Sequence, residues 1–218
     1  MLGTQTQGVH AGNLRYLALG DSYTIGEAVA ETLRWPQQLA VQLRQNGFDI
    51  ADPRILARTG WTTDELAAAM DAERFDPPYD LVSLSIGVNN QYRGRSADEY
   101  RNEFVDLLRR AIALAGDRPT RVFVVSIPDW GVTRFGRGSG RDLTQISAEL
   151  DAFNAINRTE AQRLGAGWAD VSALSRAQTD DASQLADDGL HPSGAQYTRW
   201  LRTILPAARN ALGANTAR

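Results

Sequence analysis

The sequence contains no cysteine, and all 23 of its basic residues are arginine; lysine is absent. Disulfides, thiolate metal sites and a cysteine nucleophile are thereby excluded. Lysine nucleophiles, Schiff bases and the phosphate-binding lysine of a P-loop drop out with the lysines. Histidine is scarce as well, with two in 218 residues. No apolar run approaches the ~20 residues that a membrane-spanning helix needs, and no repeat or low-complexity tract divides the chain. The arginines are dispersed and the net charge is -3, which argues against a nucleic-acid partner. The opening MLGTQTQGVHAGN lacks the basic and apolar regions of a secretory leader. That points to the cytoplasm, or to a periplasmic or secreted address if a leader has been removed. With 43% hydrophobic and 22% charged residues, the chain is in the range of an ordinary globular domain with its own core.

Within it, short apolar runs alternate with helical patterns. Tyr16–Leu19, Ile55–Ala57, Leu81–Ile86, Val122–Ile127 and Trp168–Val171 read as strands. The runs LVSLSI and VFVVSI are nearly continuous, as in parallel strands covered on both faces. Pro36 suits the first turn of a helix that ends before Gly47. Thr62 with Glu65, and Ser96 with Glu99, have capping-box spacing. Tyr100, Phe104, Leu107, Leu108, Ala111 and Ala115 form an apolar stripe closed by Gly116, and Ile146, Leu150, Phe153, Ile156 and Leu164 form another closed by Gly165. Ser193 can cap a last helix, in which Pro206 is expected to make a kink or break. The pattern predicts a three-layer α/β/α domain around a doubly wound, mainly parallel five-stranded sheet, flavodoxin-like in type. Residues 14–212 form this single domain, between a flexible tail at 1–13 and another at 213–218.

In such a sheet ligands bind outside the carboxyl ends of the strands, so the segments after the strands are the places to search. The first strand runs into Gly20-Asp21-Ser22-Tyr23-Thr24, which presents a serine hydroxyl and N–H at a tight turn. Asp21 beside it reads as a turn former, because neighbouring side chains point apart. Gly60 follows the second strand, where its backbone can approach a ligand closely. Asn89 follows the third and can aim an amide at a developing oxyanion. Each of these alone reads more readily as a turn residue. His10 lies in the polar tail, which leaves His191 as the imidazole base. Asp188 stands three residues before it, in a turn marked by Gly189 and Pro192, and can hold one ring nitrogen while the other accepts a proton. Asp180 and Asp181 read as a solvated loop, and no second histidine makes a metal site of the scattered acids.

These segments together resemble the SGNH branch of the GDSL-type serine esterases and lipases, whose four blocks supply Ser, Gly, Asn and His. The resemblance spans about Leu14 to Leu212. It implies Ser22 as nucleophile, Asp188 and His191 as its partners, and an oxyanion hole of the Ser22 and Gly60 N–H groups with the Asn89 amide. It also implies hydrolysis of an ester through an acyl-serine intermediate, with no cofactor and no metal. The third block is usually GxND; Asn90 stands here in place of the Asp, which implies altered local hydrogen bonding. Trp130, Phe135 and Leu190 are candidates to line an acyl pocket, and Asp129–Arg141, glycine-rich and without apolar periodicity, reads as a mobile loop beside it. Short-chain esters are the first choice of substrate, because the chain has no room for a lid domain. Sugar acetates, lysophospholipids, acyl thioesters and acyl transfer remain alternatives on the same residues. A silent binding module would lack the Ser, Asn or His, and a nucleotide-binding domain would need a phosphate loop that GDSYTIG is not. Oligomeric state is not legible.

Overall fold

Five short strands, Tyr16–Gly20 (β1), Arg54–Ala57 (β2), Leu81–Ser85 (β3), Val122–Val125 (β4) and Gly167–Ala169 (β5), form one parallel sheet in the order β2-β1-β3-β4-β5. The computed structural model describes residues 12–177 and 181–213, so His10 and Asp180 lie outside the described residues. Every residue of β1, β3 and β4 is buried, as the unbroken apolar runs require for strands covered on both faces. Two of the serines inside those runs find local partners. Ser83 Oγ lies 2.9 Å from the Tyr16 hydroxyl. Ser126 Oγ accepts from Val171 N at 2.8 Å and donates to Asp170 at 3.0 Å, and β4 and β5 end where these side chains take over the pairing.

Helices cover the sheet in two layers. Trp35–Gln45 (α2) packs on Gly194–Ala211 (α9), whereas Thr63–Ala72 (α3), Ala97–Leu114 (α5) and Leu143–Leu164 (α7) pack in series. Short helices fill the loops: Ser22–Ile25 (α1), Val88–Tyr92 (α4), Arg134–Gly138 (α6) and Ser172–Arg176 (α8). The expected caps are in place. Thr62 and Glu65 close a reciprocal capping box, Ser96 Oγ accepts from Glu99 N, and Ser193 Oγ accepts from Gln196 N. The stripe from Tyr100 to Ala115 is buried throughout.

Two expectations are corrected. Pro206 does not break α9, which runs through it to Ala211. Pro206 and Arg202, whose carbonyl loses its i+4 donor, both lie on the exposed side where water serves, while Tyr197, Trp200, Ile204 and Ala208 anchor the buried face. Nor is Asp129–Arg141 a loop without structure. Trp130–Val132 forms a 3-10 turn capped by Asp129, and α6 follows, capped by Thr133. Its order comes from polar side chains rather than apolar periodicity. The Asp129 carboxylate is buried and takes bonds from Gly131 N (2.9 Å), Ser147 (2.5 Å) and Arg176 (2.8 Å). Among the described residues no helix is long and apolar enough to cross a membrane. Asp181 caps the 3-10 turn Ala182–Gln184.

Candidate active site

The sheet order reverses between β1 and β3, and the crevice of a doubly wound sheet opens at the carboxyl ends of those strands. Ser22 leaves the end of β1 as the first residue of α1. The turn is tight because Gly20 has no side chain: a Cβ there would lie 2.2 Å from Thr24 Oγ1 and 2.5 Å from the Ser85 carbonyl. Asp21 caps α1, its carboxylate accepting from Tyr23 N at 3.0 Å. It is 2% exposed, and burial pushes its carboxyl up to about 7. Ser22 itself is 5% exposed, and as a first-turn residue its N–H has no partner inside the helix.

Gly60 stands after β2 with φ +86°, which favours glycine. Its carbonyl is held by Arg93 Nη2 at 2.7 Å. Asn89 lies on α4, after β3. One of its amide hydrogens goes to the Trp61 carbonyl at 2.9 Å, which orients the group and leaves its second donor. Asn90 is fully buried on the same helix. Its Oδ1 accepts from Thr63 N at 3.0 Å, and its Nδ2 donates to Thr63 Oγ1 at 2.6 Å and reaches Glu103 Oε2 at 3.4 Å. An amide suits this place because a carboxylate would face the Glu103 carboxylate.

His191 and Asp188 sit in the turn before α9. Asp188 Oδ2 lies 2.6 Å from His191 Nδ1, and Oδ1 accepts from Leu190 N (2.9 Å) and His191 N (3.0 Å). Partial burial opposes its charge, but the bonds from the His191 ring and these two N–H groups outweigh that and hold the carboxyl below its usual range. An ionised Asp188 accepts the Nδ1 proton, so Nε2 carries the lone pair. Gly189 turns the chain at φ +71°, where a Cβ would lie 2.5 Å from Arg134 Nε. The Tyr23 ring packs on the imidazole, with centroids 5.5 Å apart.

Ser22, Gly60, Asn89 and His191 all line one cavity of about 210 Å³, together with Trp130, Phe135 and Leu190. The sequence singled out each of these; Asp188 stands behind His191. It did not single out Tyr23, Thr59, Val88 and Tyr92, which complete the lining. Helical spacing is the signal that would have found two of them, since Val88 and Tyr92 are i and i+4 on α4 beside Asn89.

The profile of the GDSL-like lipase/acylhydrolase family matches residues 18–199. The chain belongs to that family. Family membership places this GDSL-like acylhydrolase among the ester hydrolases. No curated protein matches it in sequence at a significant level. Solved structures share its fold. TesA superposes with a TM-score of 0.71 at 19% identity, covering 91% of this chain and 99% of that one. The esterase EstA from Pseudoalteromonas sp. gives 0.68 at 17%, over 92% and 100% of the two chains. Axe2, an acetylxylan esterase from Geobacillus stearothermophilus, gives 0.67 at 17%, over 96% and 98%.

Proposed function

We propose that this GDSL-like acylhydrolase is a serine esterase for short-chain carboxylic esters, with residues 14–212 acting as one hydrolase domain. The observation that carries the reading is that His191, with Asp188 2.6 Å behind its Nδ1, lines the same cavity as Ser22 and the Gly60 and Asn89 donors. Ser22 Oγ attacks the ester carbonyl carbon while His191 Nε2 takes its proton. Asp188 keeps the imidazole in the productive tautomer and stabilises the imidazolium. The carbonyl oxygen, now negative, meets the Ser22 and Gly60 N–H groups and the free Asn89 amide hydrogen, each worth about 3 kcal/mol in such sites. Collapse breaks the bond to the alkoxy group, which leaves with the proton from His191. A water molecule, deprotonated by His191, then attacks the acyl-serine; the acid departs and Ser22 recovers its proton.

The cavity suits a small acyl group. Its volume of about 210 Å³ and its lining of apolar and aromatic side chains suit a short acyl tail. No Asp, Glu or Arg side chain contributes to its lining, which suits a neutral acyl group. Hydrolysis of p-nitrophenyl acetate through octanoate, by wild type and Ser22→Ala together, tests the assignment. Turnover greatest from acetate to butyrate and lost in Ser22→Ala is expected. Turnover surviving in Ser22→Ala removes Ser22 as nucleophile.

A further inference from the structure

The inner wall of the cavity is tied to the helix that carries Asn89. Trp130 is 1% exposed, whereas its cavity neighbours Tyr92 and Phe135 are 48% and 40% exposed. The indole is therefore the inner face and the other two rings the mouth. Trp130 Nε1 donates to Gln91 Oε1 at 2.8 Å. Gln91, 2% exposed, lies on α4 two residues after Asn89 and turns away from the cavity. Its Nε2 donates to Glu149 Oε2 on α7 at 2.6 Å. That bond settles which end of the amide faces Trp130: the nitrogen is committed to a carboxylate, so the oxygen is left for the indole. Glu149 is itself held, by Gln145 Nε2 at 2.8 Å and by Arg141 Nη2 at 3.6 Å. The Arg141 guanidinium also lies over Trp130, 5.3 Å from the ring. Losing Gln91 Oε1 would leave a buried indole N–H unpaired, which is costly, so the bond favours the ring orientation that reaches Gln91.

We propose that Gln91 is a specificity-determining positioning residue: by pinning Trp130 between α4 and α7 it sets the inner limit of the acyl pocket, and so restricts the enzyme to short acyl groups. This rests on the esterase reading of the same cavity. The wall does not touch the reacting atoms, and its effect belongs to chain-length selection rather than to bond breaking. Because Gln91 and Asn89 share one turn of helix, the wall keeps its register with the oxyanion donor.

The test is the ratio of kcat/KM for p-nitrophenyl octanoate to that for the butyrate. Trp130→Ala opens the wall and raises the ratio by about tenfold or more, the scale on which apolar pockets discriminate chain length. Gln91→Leu keeps the volume but removes the tether, and raises the ratio several-fold. The exchange Gln91→Glu with Glu149→Gln restores an acceptor for the indole and a donor behind it, and returns the ratio toward wild type. An unchanged ratio in active Trp130→Ala or Gln91→Leu overturns the proposal and leaves the esterase assignment standing. Should Gln91→Leu fail to fold, Gln91→Met, which keeps the length of the side chain but offers the indole no amide oxygen, decides: a raised ratio supports the tether and an unchanged one overturns it. Turnover that survives Ser22→Ala, or wild type inert toward every ester, overturns the esterase reading and this inference with it.

Discussion

Asp188 accepts two backbone N–H groups on one oxygen and the imidazole on the other, so its orientation does not depend on His191 alone. Asp188→Asn keeps the oxygen facing the backbone but puts an NH₂ against Nδ1, which favours the wrong tautomer. A fall in kcat of about 10⁴ with little change in KM is expected, read from steady-state kinetics on a short ester. Asp21 makes a different prediction. Its carboxyl ordinarily titrates at 3.8 and is lifted to about 7 by burial. Between those values the folded protein holds a proton that the unfolded chain has released. Stability from this group therefore falls as pH rises from about 4 to about 7, by up to about 1.4 kcal/mol per pH unit. Asp21→Asn retains an oxygen for Tyr23 N and cannot ionise. Denaturation between pH 4 and 8 should show the variant gaining on wild type as pH rises, and parallel curves would contradict the buried-acid account. The departure of Asn90 from GxND was legible in the sequence, but the Glu103 carboxylate beside it was not.

At the scale of elements, the short helices do the positioning. α4 supplies Asn89 to the cavity, Val88 and Tyr92 to its wall and Gln91 behind it. α9 fixes the other side. Its N-cap Ser193 accepts from Gln196 N at 3.3 Å, and Ser193 Oγ donates to the Ser183 carbonyl at 2.7 Å. Ser193 N also donates to the Gln184 carbonyl at 2.9 Å, and the His191 carbonyl accepts from Ala186 N at 2.8 Å, so the cap and the turn carrying His191 are held to the same segment. Ser193→Ala should lower unfolding free energy by about 1 kcal/mol, measured by urea denaturation, and, on the proposed mechanism, should also reduce kcat, since the cap adjoins His191. Capping residues, glycine stops and the long apolar stripes were readable because they act within a few residues. The turn at Trp130–Val132 and helix α6 were not, because their order comes from Asp129 meeting Ser147 on α7 and Arg176 on α8.

For the whole molecule, the central strand bears the core. Leu84 on β3 is fully buried with strands on both sides. Leu84→Ala should cost about 2–5 kcal/mol of stability. Val41→Ala, on the 44% exposed face of α2, should change it by less than about 0.5 kcal/mol. Chemical denaturation of the two variants side by side checks the contrast; equal losses would contradict the placement of the core.

The layered α/β class and the strands were legible in the sequence, which also singled out Ser22, Gly60, Asn89, Asp188 and His191 as candidates. Strand burial writes itself as unbroken apolar runs, and chemistry at the strand ends requires particular residue types. Asp188 and His191 are also near neighbours in sequence, so a single turn joins them. Only the tertiary structure decided that the residues after β1, β2 and β3 share one cavity with the turn before α9. That depends on the strand order β2-β1-β3-β4-β5, a property of how the chain crosses over and not of any segment. The same holds for Gln91 and Glu149, 58 residues apart and 2.6 Å from each other. A bond between distant polar side chains leaves no periodic trace in sequence, because its geometry exists only after the helices that carry them have packed.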